Sequence, residues 1–476
     1  MKLDKAISGI IMGLLISLSV EAQNLESEML FPDTLRSAQD TFYINSPKFS
    51  NIWSHPISKE DTLNLGTSGY NGVYMTIWTD LDTINIPHVN FPYRQLVKIP
   101  ITSKTDTALC ILRFQASNSN FSDQYVNDHK GQISFEIPEV YELANVILYL
   151  SSCSDSTRNH PNTEYTKRLE KHFSQFRDHK LIEVLNNNCA SGNFWSMYYG
   201  FRENSICFEL NRNELNYTTR YKNVFWDESG IFGGQFRNLL YLVQDFVNSS
   251  DFREFYKQNA DYYEDLETRQ SELLPVGQMW EWLENEFPQR MDSYRIIFSS
   301  LIEGSHSTQK FYKGFFGEPE FQENIMFINS PESIDMNDGY SETLKEGLMS
   351  GIVFTEIDHN YVNPASDERI NEIKSLIDDK DFWATKEVQE NYRSEYAIFN
   401  EYMTHSLFCL YVMEVYDKDL SAQIIEKRIN LMNRRGFMKF REFNNILTNL
   451  KMNENESVYE SYSMLIESMN LIKKGK

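Results

Sequence analysis

Apolar and polar residues alternate in short runs through the N-terminal part of the chain, as in "GVYMTIWTD", "QLVKIPIT" and "ALCILRFQA". A two-residue period turns one face of each run toward a core, so these segments predict strands. Pro, Gly, Asn and Asp fall between them, and no helical stretch of any length interrupts the pattern from Asn24 to Lys130. Short strands without helices predict a small all-β domain, a sandwich or a barrel, over 24–130.

After "GQISFEIPEV" the period changes. Apolar residues recur at three- and four-residue steps in "YELANVILYLSSC" and "EYTKRLEKHFSQFRDHKLIEVL", and later in "FRNLLYLVQDFV" and "VGQMWEWLENEF". These read as helices, with "SICFELN" interrupting as a strand. Two further strands are expected at Tyr294–Ser300 and Glu323–Ser330, joined by a segment rich in Gly and Phe. A helix then runs from Ser341 through Asn360, and Pro364 ends it, because proline disfavours α geometry in the residue before it. The segment "EYAIFNEYMTHSLFCLYVMEVY" is apolar over most of a helix circumference after Glu401, which predicts a buried central helix. The fold class expected is α+β, with a mainly helical domain over 131–476 behind the β-rich one.

At 476 residues and 41% hydrophobic, the chain is long enough for two or three packed units. Acidic residues outnumber basic ones 68 to 45, for a formal charge of −23. Phosphate backbones and anionic membrane surfaces would be repelled, so neither nucleic acid nor membrane is expected as a partner. The opening "MKLDKAISGIIMGLLISLSVEAQ" places Lys2 and Lys5 before an apolar run that ends at small residues around Ala22. That is the layout of a secretory signal over 1–22, and the mature chain is expected to be exported, periplasmic or secreted. Cys110, Cys153, Cys189, Cys207 and Cys409 make an odd set at irregular spacing, and export would permit a disulfide among them.

The chemistry concentrates in "FTEIDHNYVNP", Phe354 to Pro364. In a His-Glu-x-x-His helix, two imidazoles one turn apart hold zinc while the glutamate polarises the attacking water. Here Glu356 stands at the general-base position and His359 at the second histidine, but Thr355 replaces the first. A neutral hydroxyl is a poor zinc ligand beside imidazole or carboxylate. Glu401 and His405 are four apart on the buried helix and share a face, where polar groups must find partners. If that helix packs beside the Thr355 helix, His359, Glu401 and His405 form a candidate three-ligand set. The alternative is that they bond one another with no metal. Asp358 points about 100° away from His359 around the helix and is a weak ligand candidate. His306 precedes the expected strands and borders any cleft there, whereas His160, His172 and His179 show no ligand spacing.

Taken with "HFSQFRDHK", "MWEWLENEFPQR", "RIIFSSLIEGSHSTQKF" and "NEYMTH", the motif resembles a family of exported bacterial proteins of unknown function that carry His-Glu-x-x-His and a Val-Asn-Pro-like turn. The resemblance spans Glu139 to Val415. It implies a zincin-like metallopeptidase fold, with Glu356 matching the general base, His359 a zinc ligand, Glu401 the third ligand, and Asn363 and Pro364 the turn. Thr355 departs from that pattern, so zinc is expected to be weak or absent and the chain weakly active or inactive. A second expectation is an exported protein that binds a peptide or an envelope component in the inherited cleft.

Overall fold

The computed structural model describes residues 34–474, except 46–51, 59–61, 67–74, 87–95, 114–118, 154–161, 191–193, 219, 222–234, 303–305, 316–317 and 454–455. The expected signal segment therefore lies outside the described residues. The chain divides into two compact units: one runs up to Ser117 and includes Gly314–Glu318, and the other holds the rest from Asn118 onward. The fold is mixed α+β and mainly helical.

In the first unit the alternation appears as eight described strands: β1 (Leu35–Arg36), β2 (Thr41–Asn45), β3 (Ile52–Pro56), β4 (Thr62–Gly66), β5 (Met75–Trp78), β6 (Thr83–Ile86), β7 (Leu96–Thr102) and β8 (Thr107–Arg113). They form two four-stranded sheets, ordered β1-β7-β8-β4 and β3-β2-β5-β6. Residues two apart share a face, and Phe42 with Ile44, Ile99 with Ile101, and Ala108 with Cys110 duly meet in one buried cluster. The expected boundary at Lys130 moves back to Ser117, because Asp123–His129 is a helix of the second unit. Ser122 starts it by accepting a hydrogen bond from the Tyr125 amide at 3.1 Å, and Tyr125 then anchors it to Glu323 through its hydroxyl.

The second unit is built on a sheet of β9 (Ile133–Glu136), β12 (Ser293–Ser299), β13 (Ser307–Phe315) and β14 (Glu318–Asn329), in the order β13-β14-β12-β9. β12 pairs in parallel with both β14 and β9. Its apolar run Ile296–Phe298 and the run Ile325–Ile328 on β14 are buried residue after residue, as expected of strands covered on both faces. β13 is a difference from the sequence reading, which took this stretch as a connection. Its inward positions, Gln309 and Phe311, include a polar side chain, and that hides the two-residue period. The strand at "SICFELN" is β10 (Phe208–Asn211), which forms a separate hairpin with β11 (Glu214–Tyr217).

Helices surround this sheet, and a disulfide between Cys153 and Cys189, with Cα atoms 5.7 Å apart, ties the end of the helix Glu139–Leu150 to the end of Lys180–Asn188. The helix Glu395–Val415 is buried on nearly every side from Tyr402 to Val412, which fits its uniformly apolar sequence. The motif lies on the helix Glu342–Ile357, capped by Ser341, whose hydroxyl accepts from the Leu344 amide at 3.2 Å. Phe354 pins it to the buried helix, with ring centroids 4.9 Å from Tyr411 and 5.8 Å from Phe408.

Pro364 does not end a helix as expected. Asp358 is the joint at which one helix stops, and a second, His359–Asp367, starts with Pro364 inside it. Burial of Tyr361, Val362 and Ala365 outweighs the local cost of the proline, and the turn beyond it is loose: the Glu368 amide reaches the Pro364 carbonyl only at 3.4 Å.

Candidate functional site

Three helices bring the chemistry together: Glu342–Ile357 with its continuation from His359, the buried helix Glu395–Val415, and Lys418–Arg435. The third approaches the first closely because Gly347 and Gly351 face it. A Cβ on Gly351 would lie 1.9 Å from Arg428 Nη2, and one on Gly347 would lie 2.3 Å from Ile424 Cδ1. A side chain at either position would have to displace the ends of Arg428 and Phe408, or of Ile424.

His359 and Glu401 meet, with Nε2 3.8 Å from Oε1. His405 joins at the other oxygen, its Nε2 3.6 Å from Oε2 of the same carboxylate. The pair expected from the resemblance and the third residue expected from the i,i+4 spacing therefore share one cluster. Thr355 takes no part in it. Its hydroxyl turns back along its own helix to the carbonyls of Gly351 and Ile352, at 3.0 and 3.1 Å.

Two arginines that the sequence reading did not single out complete the cluster. Arg435 donates from Nη2 to Glu401 Oε2 at 2.8 Å and to the Tyr392 hydroxyl at 2.7 Å, and its Nη1 lies 2.6 Å from His405 Nε2. Arg428 places Nη1 3.0 Å from His405 Nδ1 and lies over the Phe408 ring, 4.6 Å from its centroid. A neutral imidazole has one lone pair to offer, so the two guanidiniums compete for it. A signal for Arg428 exists in the sequence: Ile424, Arg428 and Met432 recur every four residues, which sets it on an apolar stripe.

The charges sort by environment. Burial alone would raise the pKa of Glu401, but the His405 contact, Arg435 and His359 together hold it far below the usual carboxylate range. Burial pushes His405 down to about 3, and both arginines push the same way, so the ring is neutral. His359 is lowered by burial, against the pull of Glu401. Glu356, half-buried one turn before Asn360, is raised to about 8 by burial, then by repulsion from Glu401, with Arg435 opposing and Glu203 adding. Asp358 is fully buried and its carboxyl is raised well above its ordinary value, by burial and then by Glu356 and Glu401. At neutral pH the ionised members are Glu401, Arg428 and Arg435, while Glu356 carries a proton. A protonated carboxyl donates a hydrogen bond as well as accepting one.

Glu203, buried on the helix Phe194–Asn204, links this cluster to the sheet. Its carboxylate accepts from Gln309 Nε2 at 2.7 Å and from the Ser307 hydroxyl, both on β13, and it acts electrostatically on Glu356. β13 is the last strand in the order of its sheet, and Glu203 meets it through the inward side chain of Gln309. His306, just before β13, is half-buried beside it. His172 and His179 are held locally: His172 Nε2 lies 2.8 Å from the Ser250 carbonyl, and His179 Nδ1 accepts from the Leu181 amide at 3.1 Å. His160 lies outside the described residues.

The fit of zinc can be judged from these distances. Two ligands on a tetrahedral zinc at about 2.1 Å stand roughly 3.4 Å from each other, close to the spacing of His359 and of His405 from Glu401. The guanidinium of Arg435 lies against Glu401 and His405, where such an ion would have to be. No group of three or more His, Cys, Asp or Glu suited to a metal ion is found among the described residues. As it stands, the donor set does not form a three-ligand zinc site. Comparison of the chain with protein-family models, with curated proteins and with solved structures finds no match.

Proposed function

We propose that the chain is an exported zincin-like protein in which Arg435 stands in the metal position, so that its cleft binds an extended peptide segment instead of hydrolysing it. The observation that carries this reading is the seat of the Arg435 guanidinium across Glu401 and His405. A fixed cation there satisfies the carboxylate that a zinc ion would otherwise satisfy, but it offers no exchangeable water for Glu356 to activate. The peptide belongs to the reading because Glu203, which acts electrostatically on Glu356, is bonded by Ser307 and Gln309 of β13, the last strand in the order of its sheet, and outer strands are where extended peptides are recognised. The N-terminal unit is read as a separate small all-β domain.

The test is a zinc titration of the mature wild-type protein by calorimetry, with a peptidase assay on unfolded casein beside it. Little or no stoichiometric zinc binding and no cleavage are expected. One tightly bound zinc, with cleavage that disappears in Glu356→Gln, would overturn the proposal.

Export is supported by the Cys153–Cys189 disulfide, since such bonds persist in oxidising compartments. No helix among the described residues is long and apolar enough to cross a membrane. Intact-mass measurement of the exported protein should show the loss of about the first 22 residues. A chain still beginning at Met1 would exclude cleavage.

A further inference from the structure

The hairpin β10–β11 and the helix Leu240–Ser250 flank an open cleft of about 640 Å³ that lies outside the cluster described above. Its lining is Asn211, Arg212, Asn213, Glu214, Gln244 and Asn248, with no apolar side chain among them. The volume falls within the roughly 300–1,000 Å³ of small-ligand sites, yet those are mostly lined by apolar groups. This one offers planar amides, one guanidinium and one carboxylate.

Gln244 builds the site. Its Oε1 accepts from the Leu215 amide at 2.9 Å, while its Nε2 donates to the Asn213 carbonyl at 2.6 Å and to Asn248 Oδ1 at 3.2 Å. These bonds tie the hairpin to the helix and fix the Asn248 amide with its oxygen engaged, which leaves its NH2 as a donor toward the cleft. Asn211 pairs with Glu214 across the hairpin, so Arg212 and Asn213 form the two-residue turn. Arg212 stands there at φ 58°, in the left-handed region where such turns usually place Gly or Asn. Its carbonyl is held by Arg253, and its guanidinium is exposed at the rim.

The same helix face continues to Tyr241, three residues before Gln244 and seven before Asn248. That ring is 72% exposed, which makes it the most exposed of the large hydrophobic side chains among the described residues. A flat aromatic face one helical turn from Gln244 and two from Asn248 matches a sugar ring, whose C–H face packs on the aromatic and whose adjacent hydroxyls both donate and accept. One cation balanced by one carboxylate gives no net attraction for phosphate, and one carboxylate is too few for a metal.

We infer that this cleft is a binding site for a short neutral oligosaccharide, with Tyr241 as the stacking face and Asn248, Asn213, Arg212 and Glu214 as the hydroxyl-binding groups. The site is independent of the Arg435 cluster and of the peptide reading. The experiment titrates the full mature chain with chitotriose, cellotriose and maltotriose by calorimetry. At least one is expected to bind saturably, and Tyr241→Ala and Asn248→Ala should each weaken that binding about tenfold. Both side chains are exposed, so the variants should fold. Arg212→Gly should relax the turn and raise the melting temperature while also weakening the sugar, a combination that a purely structural arginine would not give. No saturable binding by any of the three sugars overturns the inference. So does binding that all three variants leave unchanged.

Discussion

Arg435→Met is expected to destabilise the protein by about 3 kcal/mol and to turn the cluster into a zinc site. The loss follows from the burial of Glu401, whose side chain is 12% exposed and which would be left ionised beside two neutral imidazoles. Removing one partner of such a pair leaves the other charge desolvated, which costs more than the intact pair contributes. Methionine keeps much of the arginine's volume, so packing is a small part of the effect. With the guanidinium gone, His359 and His405 face the two oxygens of one carboxylate, and a divalent cation restores the missing charge. Zinc at a hundred times its dissociation constant should then return about 2.7 kcal/mol. Denaturant melts of wild type and variant, each with and without zinc, read both effects. A zinc response in the variant alone, lost on adding His405→Ala, is the expected pattern. A variant as stable as wild type and indifferent to zinc would show that Arg435 does not hold the metal position.

Glu356→Gln should change how stability depends on pH. The Glu356 pKa is about 8 in the folded protein against an ordinary value of 4.5, raised by burial and then by Glu401. A carboxyl raised in the fold contributes stability that is complete below pH 4.5 and is lost as pH rises through 8. Glutamine keeps the neutral amide in place of the neutral acid and has no proton to lose. The variant should therefore match wild type near pH 4.5 and exceed it above pH 8, by on the order of 2 kcal/mol once solvent screening of a half-buried side chain is allowed for. His405, pushed down to about 3, carries the opposite slope, since its contribution is lost as pH falls from 6.5 toward 3. That slope is common to both proteins and cancels in the difference. Thermal melts at pH 5 and pH 9 are sufficient, and parallel profiles would show that Glu356 is ionised in the neutral range.

Much of the architecture was legible because it rests on periodicity. The alternation at Phe42 and Ile44, the apolar runs of β12 and β14, and the uniformly apolar helix around Leu407 each carry their burial in the local sequence. What failed was local in another sense. Pro364 was read by its intrinsic preference, and the burial of Tyr361 and Val362 overrode it. β13 was lost because Gln309 occupies an inward position. In the cluster, His359, Glu401 and His405 could be brought together from helical spacing and a resemblance, since imidazole and carboxylate are the groups one looks for. Arg435 could not. Nothing in the sequence separates it from its exposed neighbour Arg434, and which helix face turns inward is set by the packing of Ile424 and Arg428 against Gly347 and Gly351. Asp358 was judged by its angle from His359, and what the structure adds is its complete burial.

The parallel pairing of β9 with β12, in which Tyr294 lies opposite Ile133, sets the order in which the second unit can form. Every helix from Glu139 to Glu286 lies between those two partners along the chain. The loop must be closed before a single rung of that ladder rewards the loss of chain freedom, which is the mark of high contact order. The helices can assemble from nearby residues, while the sheet waits for the arrival of β12 and then of β14. A chain that reaches its central strand so late stays unlocked for longer as it emerges, and until β12 arrives the apolar faces of its early helices have no sheet to cover them.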